Sequence, residues 1–342
     1  MSERPPGEAD WTAAVSAVRG LPPGGTALLV CHINPDGDAL GSMLGFALGL
    51  RRLGVADVRA TFPVPEGGSP GGRADVPPPF TALPGLDLLV PPGEAPAAPD
   101  LLVCFDAASP SRLGSLADRL ATAGASLVLD HHASNPGFGG INLVDPAAAA
   151  TSVVAERLLD RLGVRLDAEI AECLYVALAT DTGSFRFDMT TPAVHEMAAR
   201  LIATGIKPAE ISRQVFDTRP YGSIRLYGDV LSRAELDPEA AGGVGLVWTY
   251  ATLADLERHR QSPYVLEALI DSVRCAAEAD VSCVVKQVGE REWAVSMRSK
   301  GAVDVSRVAV ALGGGGHRLA AGFTGRGASA HDIVAAIRAE LP

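Results

Sequence analysis

Short apolar runs alternate with helical periodicities along the first two-thirds of the chain, and that alternation predicts the fold. Residues 11–18 have helical spacing. Thr26–Cys31 is an apolar run that reads as a buried strand, and a helix-forming run, 39–52, follows at once. Residues 57–62, Leu101–Phe105 and 126–129 are further strand-like runs, and 168–180 is apolar at helical spacing. Strands alternating with helices favour α/β architecture with a doubly wound parallel sheet, whose strand ends face one crevice. Residues 63–84 are too rich in glycine and proline for regular structure. They read as a mobile surface loop, with a lid as the alternative. Residues 191–233 are helical in pattern but punctuated by Gly205, Pro208 and Pro220. The first domain is therefore expected over 1–205, a helical connector over 206–233 and a smaller mixed-sheet α/β domain over 234–342. In that last domain 244–250, 281–288 and 293–298 read as strands. Residues 305–312 read as a helix that runs into the glycines 313–316.

Composition narrows the function without naming it. A chain of 342 residues, 47% apolar and 20% charged, has the make-up of a soluble protein with room for two cores. Its formal net charge of -11 argues against gripping long nucleic acid along a basic surface. A small phosphorylated ligand in a local pocket stays open. The five cysteines form no C-x-x-C pair, and several lie within apolar runs, so they read as buried reduced thiols. No apolar run approaches the roughly 20 residues of a membrane span. The polar, proline-bearing start is unlike a secretory signal, so no membrane association and a cytoplasmic location are expected.

The chemistry collects where apolar runs end. His32, Asp36 and Asp38 follow the first strand. Asp106 ends the strand Leu101–Phe105, Asp130-His131-His132 ends the next, and Asp181 follows the 168–180 helix. Each residue alone has an ordinary explanation: Asp36-Gly37 as a turn, Asp38 as a helix cap, Asp106 as a turn former, His131-His132 as a surface pair. Together they form a coherent donor set. Carboxylates and imidazoles without thiolates suit manganese or a related divalent ion. Six such side chains exceed what one catalytic ion needs, which favours two.

In order along the chain, His32-x-x-x-Asp36-x-Asp38, Asp106, Asp130-His131-His132 and Asp181 resemble the four motifs of the DHH phosphoesterases. Gly313-Gly314-Gly315-Gly316-His317, with Ser296-Met297-Arg298-Ser299-Lys300 before it, resembles the DHHA1 domain that accompanies them. The layout is closest to the nanoRNase/pAp-phosphatase subfamily, which includes actinobacterial cyclic di-AMP phosphodiesterases. The 63–84 loop is longer than usual for such proteins, which affects expected loop contacts and not the metal site.

The resemblance implies a cofactor of two Mn2+, with Co2+ or Mg2+ as substitutes. One ion would take His32, Asp36 and Asp106; the other would take Asp38, Asp106, His131 and Asp181. Asp106 would bridge the pair. His132 would sit beside the scissile phosphate as a catalytic group, and Asp130 would orient the histidines from behind. Hydroxide would attack phosphorus in line. Arg298, Gly314, Gly315, Gly316 and His317 would bind substrate. Expected partners are small nucleotides or short RNA: short oligoribonucleotides, pApA or cyclic di-AMP, and 3′-phosphoadenosine 5′-phosphate (pAp). A homodimer is expected on the same ground. The rival readings are a nucleotide-binding sensor without catalysis, a single-strand-specific exonuclease and a type II inorganic pyrophosphatase. The second half shows no basic tract suited to a bare pyrophosphate, and a single-strand exonuclease would need a longer chain and a basic groove, neither of which this acidic chain offers.

Overall fold

The computed structural model describes residues 5–64 and 72–342, which divide into two compact units at Thr218/Arg219. The division falls inside the 206–233 segment. Pro208–Val215 belongs to the first unit and Tyr221–Leu231 to the second.

Among the described residues the first unit is built on five strands: β1 (Thr26–Cys31), β2 (Asp57–Thr61), β3 (Leu101–Phe105), β4 (Ala125–Asp130) and β5 (Ile141–Val144). All pairings are parallel, in the order β2-β1-β3-β4-β5. Strand order reverses between β1 and β3, and in open α/β sheets ligands bind outside the carboxyl ends of the strands at such a switch point. Leu28 and Val30, Leu102 and Cys104, and Val128 point to one face, where they bury Leu113 and Leu116 from the turn after β3.

Gly37–Arg52 is a helix with every residue from Gly37 to Leu50 buried. Gly41, Gly45 and Gly49 repeat every four residues and so share one face. A Cβ on Gly41 would stand 2.4 Å from the Cys173 carbonyl oxygen, and one on Gly49 2.4 Å from Leu159. A Cβ on Gly37 would meet Thr180 at 2.5 Å. The stripe thus lets this helix lie almost backbone to backbone on Ala168–Asp181, and against Thr151–Arg161. Residues 37, 41 and 45 meet progressively earlier residues of the partner, so the two helices run antiparallel.

Two expectations change. The helix after β1 begins at Gly37, with Asp36 as its cap through a hydrogen bond from the Ala39 amide; Asp38 lies inside its first turn. The glycine- and proline-rich 63–84 run is also not wholly irregular. Gly72–Asp75 and Pro78–Phe80 are 3-10 turns, and Val76, Phe80 and Leu83 are buried. Prolines that forbid a strand are compatible with such turns, and the apolar residues between them anchor the segment. The rest of that loop expectation, 65–71, lies outside the described residues.

The second unit holds β6 (Glu235–Asp237), β7 (Leu246–Ala251), β8 (Val281–Gly289), β9 (Glu292–Ser299), β10 (Gly315–His317) and β11 (Ala320–Arg326) in the order β10-β11-β9-β8-β7-β6. Only β7 and β8 pair in parallel, so the sheet is mixed. One face buries Trp248, Cys283, Met297 and Phe323 under Val305–Ala311 and Ala330–Glu340. On the other, Val247 and Val284 pack with Leu226 and Leu269. Among the described residues no helix is long and apolar enough to cross a membrane.

Gly41→Ala should destabilise the protein by about 1–3 kcal/mol, the usual range for overpacking a filled core. Gly228, exposed in the Tyr221–Leu231 helix with nothing near its missing Cβ, is the counter-case. Gly228→Ala should stabilise by about 0.5–1 kcal/mol through helix propensity alone. Urea melts of the two variants check this, and a neutral Gly41→Ala would mean the helix contact is not tight.

Candidate metal centre

The first unit brings His32, Asp36, Asp38, Asp106, His131 and Asp181 together at the carboxyl ends of β1, β3 and β4. The His32 Nδ1 lies 2.8 Å from the Ile33 carbonyl oxygen. A carbonyl only accepts, so Nδ1 carries a proton and Nε2 is the ring nitrogen turned toward the carboxylates. That Nε2 stands 3.4 Å from Asp106 Oδ2 and 3.9 Å from Asp36 Oδ1. The same logic fixes His131, whose Nδ1 donates to the Ala148 carbonyl at 3.2 Å. Its Nε2 faces three carboxylates: Asp181 Oδ2 at 3.4 Å, Asp106 Oδ1 at 3.6 Å and Asp38 Oδ2 at 3.8 Å.

Asp106 is the common member. One donor atom each from His32, Asp36 and Asp106 lies within 4.8 Å of the others, and the same holds for Asp38, Asp106 and His131. Its two oxygens divide the work, Oδ2 toward His32 and Oδ1 toward His131. The residue sits at φ 54, a left-handed conformation that aspartate tolerates better than most side chains. Its amide still bonds the Leu129 carbonyl at 3.0 Å. The chain therefore leaves the sheet at Asp106 while remaining tied to β4.

A ring of residues that the sequence did not advertise holds these groups. Asp38 Oδ2 accepts from the Thr151 amide at 2.7 Å, and Oδ1 from the Ser152 amide at 3.2 Å and the Ser42 hydroxyl at 2.8 Å. The Thr151–Arg161 helix has no side-chain cap of its own, so Asp38 satisfies its first amides from a distance in sequence. Asp130 is fully buried. Its Oδ1 accepts from the amides of His131 and His132 and from His132 Nδ1 at 2.7 Å, while Oδ2 accepts from Asn135 Nδ2. So occupied, Asp130 is an orienting group for the histidine pair although it lies close enough to Asp106 and His132 to be counted as a donor. Asn135 also donates to the Ala107 carbonyl at 3.1 Å, which ties the β3 and β4 ends together. Its signal in the sequence is only an asparagine three residues after His132.

The electrostatics are those of an anionic pocket. Burial pushes the Asp38 carboxyl well above the usual carboxylate range, and repulsion from Asp106, Asp181 and Asp36 adds to it. Burial likewise drives Asp181 up to about 6, with attraction to His131 opposing. Asp106 goes the other way. Burial would raise it, but contact with His32 and the charges of His132 and His131 hold it below the usual range. Burial would lower the imidazoles, yet each is raised: His32 by Asp106, His131 by Asp181 and Asp106, and His132 to about 9 by its bond to Asp130. Burial raises the Cys31 thiol well above its ordinary value, which keeps it a neutral neighbour.

This arrangement fits divalent cations. Asp181 Oδ2 is buried without a hydrogen-bond partner, at the C-terminal, negative end of its helix. Such a carboxylate is costly unless a cation completes it. Hard oxygen donors with borderline imidazoles suit manganese-like ions.

In the second unit, His317 pairs across the sheet with Ala320, and Ala320 with Arg298. Directly opposite residues share a face, so the three form one row. The glycines before His317 differ. A Cβ on Gly314 would stand 2.1 Å from the Gly322 carbonyl oxygen, and one on Gly316 2.5 Å from that of Ala320, whereas Gly315 has nothing within 4 Å. Packing against β11 therefore accounts for Gly314 and Gly316, and open space surrounds Gly315.

Comparison with known proteins agrees with this geometry. Residues 26–178 match the model described as "DHH family, N-terminal domain", and 249–341 match "DHHA1 domain". The chain is 35% identical to the bifunctional oligoribonuclease and PAP phosphatase NrnA of Thermus thermophilus, over 93% of this chain and 90% of the relative. It is 27% identical to the protein of the same description from Bacillus subtilis, over 87% and 88%. The crystal structure of an exopolyphosphatase-related protein from Bacteroides fragilis shares the fold, with TM-score 0.84 at 22% identity, covering 100% of this chain and 97% of that one. Two domain matches in the expected order, with one relative aligned nearly end to end, leave a single assignment: the chain belongs to the DHH/DHHA1 phosphoesterases, in their nanoRNase/pAp-phosphatase subfamily, and is a hydrolase of phosphoester bonds.

Proposed function

We propose that the protein is a manganese-dependent phosphohydrolase of small nucleotides: short oligoribonucleotides, pApA or cyclic di-AMP, and pAp. The observation that carries the reading is Asp106, whose two oxygens face separate imidazole–carboxylate groups and so suit two ions. His32, Asp36 and Asp106 would hold one ion, and Asp38, Asp106, His131 and Asp181 the other. When bound, two such ions supply the positive charge that lowers the pKa of water and offsets charge on the phosphoryl oxygens. His132 is held at Nδ1 by Asp130, so Nε2 is the atom that passes a proton to the leaving oxygen. Asp130 and Asn135 keep that imidazole in one orientation. The Arg298–Ala320–His317 row, with the open Gly315, contributes grip on the nucleotide and no chemistry. The names of the Thermus and Bacillus relatives, oligoribonuclease and PAP phosphatase, support both substrate classes. The full ligand set favours catalysis over a sensor, and the net charge of -11 favours short substrates over long single strands.

Turnover of pAp, pApA, cyclic di-AMP, di- to pentanucleotides, pyrophosphate and a long single strand with manganese tests the reading. Undiminished digestion of the long strand would favour the exonuclease alternative, and tight binding of every nucleotide without turnover would favour the sensor.

Asp106→Ala should abolish turnover, because it removes a ligand from both ions, whereas His32→Ala and Asp181→Ala should keep residual activity that excess manganese partly restores. Near-normal turnover of Asp106→Ala would remove the two-ion reading.

Chelated protein should regain activity and thermal stability with manganese or cobalt far better than with magnesium, which prefers all-oxygen shells. A cation at 100 times its Kd adds about 2.7 kcal/mol of stability, a clear rise in Tm. Equal Tm and rate with magnesium at matched occupancy would count against the assignment.

Arg298→Ala and His317→Ala should each lower kcat/KM for pApA by about 10- to 100-fold, the worth of one charge-assisted hydrogen bond. Hydrolysis of bis(p-nitrophenyl) phosphate, which has no second nucleotide to hold, should change little. Equal losses on both substrates would move these residues into the reacting centre.

A further inference from the structure

Thr151 touches two carboxylates of the cluster, Asp38 from one donor group and Asp106, which both groups share. Its backbone amide donates to Asp38 Oδ2 at 2.7 Å, and its hydroxyl donates to Asp106 Oδ1 at 3.0 Å. The residue is fully buried, as the first of the Thr151–Arg161 helix. Asp38 and Asp106 come from different elements: the first turn of the Gly37–Arg52 helix and the end of β3. Thr151 brings a third element to both at once.

The hydroxyl and the amide act differently. Any residue at 151 other than proline would supply the amide, so the hold on Asp38 is a property of the helix end. The hydroxyl is specific to the side chain. It bonds the Asp106 oxygen that faces His131 Nε2 at 3.6 Å. A carboxylate turns about a broad, soft torsion, and here rotation would swing Oδ1 and Oδ2 together away from their two partners. One lone pair of Oδ1 takes the threonine proton, which directs the other toward the His131 group.

The geometry points to Thr151 as a positioning residue that fixes the plane of the Asp106 carboxylate and thereby the spacing of the two cations. This inference rests on the two-ion reading above, and its test can fail separately. Thr151→Val keeps the shape and the amide but removes the proton donor; Thr151→Ser keeps the donor and removes the methyl group. Manganese binding to chelated protein is measured by titration calorimetry, alongside the Tm of each metal-free variant. Thr151→Val should weaken binding of at least one ion by about 10- to 100-fold, the usual effect of losing a partner behind a ligand, and Thr151→Ser should stay near wild type. Should Thr151→Val not fold, Thr151→Ala replaces it in the comparison with Thr151→Ser. A variant without the hydroxyl that lowers metal-free Tm but binds two ions like wild type would show a purely structural role and overturn the inference, leaving the two-ion reading intact. Wild-type protein that binds no more than one manganese would overturn both.

Discussion

The close approach of two helices is the constraint on which the site depends. Gly37–Arg52 and Ala168–Asp181 lie so near each other that a methyl group on Gly41 would press into a backbone carbonyl. Because they are antiparallel, the start of one meets the end of the other. Asp36 and Asp38 stand at that start, and Asp181 at that end. A wider separation, of the kind ordinary side chains impose, would move Asp181 away from His131, which it now approaches to 3.4 Å. The glycine stripe is thus part of the site although none of its atoms is a donor.

The second constraint is charge. Buried carboxylates facing one another are unstable without compensation, and the fold provides it in layers. The first amides of Thr151–Arg161 bind Asp38, and three imidazoles surround Asp106. What remains is concentrated on Asp181, at the negative end of a helix dipole and with Oδ2 buried without a hydrogen bond. Protein groups alone leave the cluster one step short of balance, and it is a cluster that could hold a metal ion. Without cations the same excess of negative charge would repel a phosphate anion.

The donors were legible in the sequence because strand ends are. Apolar runs locate β1, β3 and β4, and the residue types just beyond them name the chemistry. What held those donors was not legible. Thr151–Arg161 follows a run of alanines with no capping side chain, so no start signal announces the helix. Its amides, which grip Asp38, belong to the backbone and leave no mark in composition. Asn135 and Ser42 look like any loop asparagine or helix serine until the fold brings them to Asp130 and Asp38. The four-residue β5 is too short to show a period. Ala330–Glu340 is the contrasting case, a helix whose start is written in side chains: Ser329 and Asp332, three residues on, form a capping box. The segment from Gly72 to Leu83 shows the reverse error: prolines suggested a mobile loop, while Val76, Phe80 and Leu83 were the residues that anchor it.

The run 313–316 bears on how such an enzyme can be altered. Two of its glycines are locked by steric contact with β11, where any side chain displaces a strand. Gly315, between them, has ordinary backbone and empty space where a Cβ would stand. Variation in this motif is therefore permitted at its centre and forbidden at its neighbours. Side chains at 314 or 316 would force β11 to shift, while one at 315 meets open space. The tightest packing in the motif thus marks out the single place where its chemistry can drift.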